Sequence, residues 1–169
     1  MSNLIVEKDY LYTECGLKNV HIGSVNVLIN DHGEKVYRLG NLKAIHTAIA
    51  LAIATKPFRI TSEEIRFLRK HMRLTQAALG ELLHKSRVTA SRWESDALEM
   101  EPNTETVLRL YALEGIEASG LIDMSTFPRY GVTEISKFPE SPSDEDFEIN
   151  IKFNEATEEV IYMPAKRRA

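Results

Sequence analysis

A chain of 169 residues, 43% of them hydrophobic, can bury one ordinary core or a core with a small satellite unit, and its composition excludes a collagen-like repeat and a disulfide scaffold. The single cysteine, Cys15, excludes an internal disulfide and any zinc site built from thiolates alone. The net charge of −4 averages over a strong polarity along the chain: residues 59–92 hold eight Lys/Arg against three Asp/Glu, an excess of +5, whereas residues 93–159 hold four against seventeen, an excess of −13. A locally basic stretch inside an acidic chain can still meet a polyanion, because phosphate responds to local potential.

In chain order, residues 4 to 39 read as short strands: alternation through Asn19–Ile22 and Val25–Ile29, a turn at Asn30-Asp31-His32-Gly33, then Lys35–Leu39, together a small antiparallel meander. Its apolar face is modest, so it needs another element to lean on. Asn41 is placed to cap a helix from Leu42 to about Thr55, ended by Lys56-Pro57, with Ile45, Ala48, Ile49, Ala52 and Ile53 on one face as a docking surface for the strands or for a second subunit. The longest apolar run, Ala48–Ala54, is too short to cross a bilayer, and Met1-Ser2-Asn3 lack a basic region, so a cytoplasmic chain with no membrane partner is expected.

A helical block follows from Ser62 to about Glu117. Thr61 or Ser62 caps its first helix, with Glu64 in the position that reaches back to the cap. Ile65, Leu68 and Met72 should line its inner side, leaving Arg66, Arg69, Lys70 and Arg73 outside. Thr75 caps a second short helix and Ser86 a third, and Asn103 or Thr104 should open a last helix through Val107, Leu108, Leu110, Tyr111 and Leu113. Gly115 loosens or ends that helix and Gly120 marks a break. Beyond it, the acidic Pro/Ser stretch to Asp146 reads as linker. Phe147–Phe153 then alternates, with Phe147, Ile149, Ile151 and Phe153 on one side and Val160–Tyr162 as a shorter partner, so a terminal hairpin or tail is expected.

Two short capped helices joined by a tight turn, Leu74 to Glu94, are what a protein needs to place a helix end in a DNA major groove. On this reading Gln76, Thr75, Ser86 and Thr89 position the phosphate backbone. Arg87, Val88, Ser91 and Arg92 face the bases, Arg87 suiting guanine N7 and O6 and Val88 a thymine methyl. Leu79, Leu83, Ala90 and Trp93 form the core of the motif. The five histidines, His21, His32, His46, His71 and His84, are scattered, and no catalytic arrangement or phosphate-binding glycine loop accompanies them, so no enzyme, metal or cofactor is expected.

The Leu-Thr-Gln start, a small residue at Ala78 or Gly80, the Ser-Arg opening of the second helix and the Ser-Arg-Trp-Glu end resemble the phage-repressor and Cro-like (XRE-type) helix-turn-helix. The departures are His84 and Asp96, where the family usually has Gly; both turns want a residue tolerant of left-handed backbone, and His and Asp are among the less costly substitutes. The strand-rich start followed by this motif is similar to antitoxin regulators of the MqsA and HigA kind. Tyr12-Thr13-Glu14-Cys15-Gly16 looks like a Cys-x-x-Cys-Gly knuckle with Tyr12 in place of the first Cys, and without a second pair zinc is not carried over.

The resemblance implies an α+β fold: a five-helix-like, lambda-repressor-type helix-turn-helix domain with a small amino-terminal antiparallel strand unit plus helix, and a carboxy-terminal strand or tail. The expected division is 1–58 strand-rich module, 59–119 helix-turn-helix domain, 120–146 linker and 147–169 hairpin or tail. It further implies a repressor-like regulator that binds double-stranded DNA as a homodimer; the alternative is an antitoxin-like module that holds a toxin-like protein through residues 1–58 and regulates its own operon. Candidate dimer surfaces are the outer side of Leu108-Tyr111-Ile116, the 42-to-53 helix and the terminal strand.

Overall fold

The computed structural model describes residues 4–122, 147–154 and 159–163. Residues 123–146 of the linker expected over 120–146, and the basic end Lys166-Arg167-Arg168, lie outside the described residues. Strands β1 (Leu4–Leu11), β2 (Val20–Ile29) and β3 (Lys35–Arg38) form the antiparallel meander, and β4 (Ile149–Asn154) with β5 (Glu159–Met163) form the terminal hairpin. The hairpin joins the meander into a five-stranded sheet. One edge of β2 pairs with β1; the other is shared, with β3 on Asn26–Ile29 and β4, in parallel, on Val20–Ile22. Asn19 anchors that junction: its amide donates to the Phe147 carbonyl, and its own carbonyl accepts from the Ile149 N–H.

Among the described residues five helices lie between strands β3 and β4: α1 (Leu42–Thr55), α2 (Ser62–His71), α3 (Gln76–Leu82), α4 (Arg87–Glu94) and α5 (Pro102–Ser119). The α1 helix starts where its cap demands, the Asn41 side chain accepting from the Ala44 N–H at 3.1 Å. Its burial departs from the one-faced expectation. Ala50, Leu51 and Ala54 are as completely buried as Ile49 and Ile53, because the β4–β5 hairpin, α2 and α5 all pack against α1. A helix that is apolar all round belongs at the centre of a core. The 42-to-53 helix is therefore no surface for a second subunit, and residues on both sides of position 58 contribute to one core.

Helix α5 also differs. It opens at Pro102, the first helical position, where a missing N–H costs nothing, and it runs through Gly115 to a left-handed Gly120. Its inward row is Leu108, Ala112 and Ile116, so the outer side expected of Leu108-Tyr111-Ile116 reduces to Tyr111, which is 38% exposed beside Val107 at 41%. The row also contains Arg109, which is fully buried. Its guanidinium donates to the carbonyls of Ile53, Ala54, Lys56 and Phe58, where α1 ends, and to the Glu105 carboxylate. A single side chain thus satisfies carbonyls that a buried helix terminus would otherwise leave orphaned.

Candidate nucleic-acid interface

The site is built on three caps. Thr61 accepts from the Glu64 N–H while the Glu64 carboxylate accepts from the Thr61 N–H at 2.7 Å, completing the capping box of α2. Glu64 is buried and also accepts from Lys56 Nζ at 2.5 Å, which neutralises both charges away from water. Thr75 accepts from the Ala78 N–H and Ser86 from the Thr89 N–H, so α3 and α4 start at the residues that close their first turns. The α3–α4 turn is set by His84 at φ +54°, and the chain leaves α4 through Asp96 at φ +60°, two left-handed positions filled by residues that tolerate them. Of the two positions that offer the family's small residue, Ala78 and Gly80, it is Gly80 that lies in close approach: a Cβ there would lie 2.8 Å from the Lys85 carbonyl oxygen.

Leu79, Leu83, Ala90 and Trp93 are buried and hold α3 against α4. Arg87, Val88 and Arg92 are exposed on α4, with Val88 at 67%, and Ser91 and Thr89 are partly exposed beside them. Ser86 and Thr75 are exposed at the two helix starts, and the Ser86 and Thr89 hydroxyls lie 2.9 Å apart. Gln76 is half-buried, its amide donating to the Glu94 carboxylate at 3.0 Å.

Glu94 is a centre that motif reading missed. It is buried at the end of α4, receives two hydrogen bonds from Arg69 and one from Gln76, and lies near Arg66, whose guanidinium donates to the Glu94 carbonyl. Burial alone would raise its pKa; the Arg69 and Gln76 hydrogen bonds and the charges of Arg69 and Arg66 overcome that and hold it below the ordinary carboxylate value. The signal in the sequence was an acid at the end of an otherwise basic motif, opposite a basic face on α2.

This network corrects the expected basic face. Arg69, expected outside, is turned inward to Glu94. Arg59 pairs with Glu105 and Glu99, Arg66 with Glu94, and Lys85 with Glu101. Of the eight Lys/Arg between residues 59 and 92, Lys70, Arg73, Arg87 and Arg92 make no ion pair among the described residues.

Elsewhere, His21 meets Asp9 and Glu148, while His32 sits exposed in the β2–β3 turn. Tyr12 hydrogen-bonds His46 at 2.8 Å beside Cys15, whose thiol is pushed up by burial. Among the described residues no group of three or more His, Cys, Asp or Glu could hold a metal ion, and no helix is long and apolar enough to cross a membrane.

Comparison with curated proteins and with solved structures finds no match. Residues 65–111 match the family described as Helix-turn-helix, which spans α2 to the middle of α5. The chain therefore carries a DNA-binding-type helix-turn-helix domain, set between an amino-terminal antiparallel strand unit and a carboxy-terminal strand pair.

Proposed function

We propose that this protein is a sequence-specific regulator of transcription, acting as a repressor, that binds double-stranded DNA as a homodimer with α4 in the major groove. The observation that carries this reading is the exposure of Arg87, Val88 and Arg92 on a helix whose opposite side is pinned by Ala90, Trp93 and Glu94. A rigidly held helix pays little ordering cost on docking. Arg87 reads guanine, Val88 contacts a thymine methyl, and Ser91 and Arg92 meet bases or phosphate further along. Thr75, Ser86 and Thr89 fix the pose on the backbone. Gln76 spends one amide N–H on Glu94 and keeps the other for a phosphate, so its direction is set before DNA arrives. Recovery of genomic fragments on the intact chain, followed by sequencing, tests this: a shared motif enriched by the wild type and lost with Arg87→Ala supports it, and recovery without sequence preference overturns it.

A second reading, the antitoxin-like one, rests on a different surface. Leu4, Leu28 and Val36 are in register across β1, β2 and β3, and Val6 lies two residues on along the same face. Leu4 is 60%, Val6 54% and Val36 46% exposed. Contiguous exposed apolar surface on a sheet marks an interaction site, and it lies within residues 1–58, where a toxin-like protein would bind. Co-purification of a small basic protein from the native host, abolished by Leu4→Lys with Val36→Lys, supports that role; recovery of the chain without a partner opposes it.

A further inference from the structure

The carboxy-terminal half of α5 and the turn between α2 and α3 enclose an open groove of about 420 Å3. Its floor and walls are mainly apolar, including Leu74, Leu82, Tyr111, Gly115 and Ala118, and α4 contributes nothing to it. Gly115 is the odd member. It lies inside α5, where Gly is about 1 kcal/mol less favourable than Ala, yet a Cβ at this position would meet nothing within 4 Å. Packing among the described residues gives no reason for a glycine here, whereas close approach by another body does. Tyr111 stands 38% exposed one turn away, a ring that no described residue covers beside a notch that none fills. The groove is also charged unequally at its rim. Arg73 comes from the α2–α3 turn and Glu114 from α5; both are exposed, and neither forms an ion pair among the described residues.

A two-fold interface brings one patch against its own copy, so each feature must find its complement in the same set. This patch supplies both members of each pair: a protruding Tyr111 with a notch over Gly115 and Ala118, and a cation with an anion. We propose that this groove is the homodimer surface, occupied by the same groove of a second copy, with Tyr111 of one protomer over Gly115 and Ala118 of the other and Arg73 paired with Glu114 across the two-fold axis. Because α4 lies outside it, two reading helices stay free while the contact forms. The inference rests on the reading of the protein as a dimeric DNA binder, but its test contains no DNA, so each can fail alone.

The test is sedimentation equilibrium of the intact chain over a range of concentrations, for wild type, Glu114→Arg, Arg73→Glu and the double exchange. The wild type dimerises; each single reversal sets like charges against each other and weakens dimerisation tenfold or more, a loss of about 1.4 kcal/mol. The double exchange restores it to within a fewfold of wild type. Gly115→Trp, which fills the notch, gives a monomer whose circular dichroism and unfolding midpoint remain those of a folded chain. A wild type that stays monomeric at every concentration overturns the proposal. So does a dimer indifferent to both reversals and to Gly115→Trp, or a double exchange no better than the single changes.

Discussion

At the scale of single residues, Glu94 has the most to lose. Replacement by Gln removes the charge that Arg69 and Arg66 face while preserving the side-chain shape, and leaves Arg69 half-buried without a counter-ion. Breaking such a pair costs about 3 kcal/mol, read as a lower midpoint in urea. Because the folded pKa of Glu94 is depressed, its stabilising contribution is fully present above the unfolded value near 4.5 and is lost as the pH falls below it. Gly80→Ala would gain helix propensity but set a Cβ 2.8 Å from a backbone oxygen that cannot rotate away. A net loss of about 1–3 kcal/mol is expected in the same denaturation experiment. The burial of Trp93 follows from its helical spacing to Ala90, whereas the left-handed turns at His84 and Asp96 were legible only through the family resemblance, which places glycine there. The inward turn of Arg69 follows from neither, because a charged residue on a helix face carries no local sign of whether its partner is water or a buried acid 25 residues on.

Among the elements, the α1–α2 connection is held by one distant side chain. Arg109→Met keeps the bulk but strips hydrogen bonds from the carbonyls that end α1 and leaves Glu105 with only Arg59 and the Ile60 N–H. The expected cost is about 3–5 kcal/mol in chemical denaturation, and Arg109→Lys does not restore it, because an ammonium cannot span the same set of acceptors. The α1–α2 contact adds a pH dependence. Tyr12, His46, Phe67 and His71 are in ring contact in succession, stacked at Tyr12–His46 and Phe67–His71 and edge-to-face at His46–Phe67, and burial lowers the pKa of both histidines, His46 and Arg73 adding to the effect on His71. A histidine with a depressed folded pKa stabilises fully above its unfolded value near 6.5 and loses that contribution as the pH falls. The melting temperature should therefore drop between pH 7.5 and 5.5, and the double change His46→Gln, His71→Gln should flatten that slope. Caps made these helix starts legible: Asn41, Thr61, Thr75 and Ser86 all act where their sequence positions indicate. The start of α5 was misread because its cap makes no side-chain hydrogen bond and Pro102 itself opens the helix.

For the whole molecule, the decisive feature is a core shared by the sheet, α1 and the helix-turn-helix. Unfolding followed by Trp93 fluorescence, which reports on α4, and by far-ultraviolet circular dichroism should give coincident transitions, since neither half has a core of its own to retain. The alternating strand Phe147–Phe153 was legible as a strand; its parallel seat on Val20–Ile22 was not, because pairing across more than a hundred residues is decided by what α1 leaves uncovered. The positive charge was legible as a sum but not as a surface, since four of its carriers are spent on internal acids. What remains for DNA is Arg87 and Arg92 on α4 with Lys70 at the α2 end, Arg73 being engaged at the dimer surface, and that distribution makes a quantitative demand. A fluorescence titration of the intact chain with its recovered genomic fragment and with a scrambled duplex, repeated across salt concentrations, examines it directly. The account predicts preference for the recovered fragment, a linear fall of log affinity with log salt, and a loss of about 5- to 150-fold in that preference with Arg87→Ala. Equal affinity for both duplexes, or an Arg87→Ala variant that discriminates as well as the wild type, would contradict it.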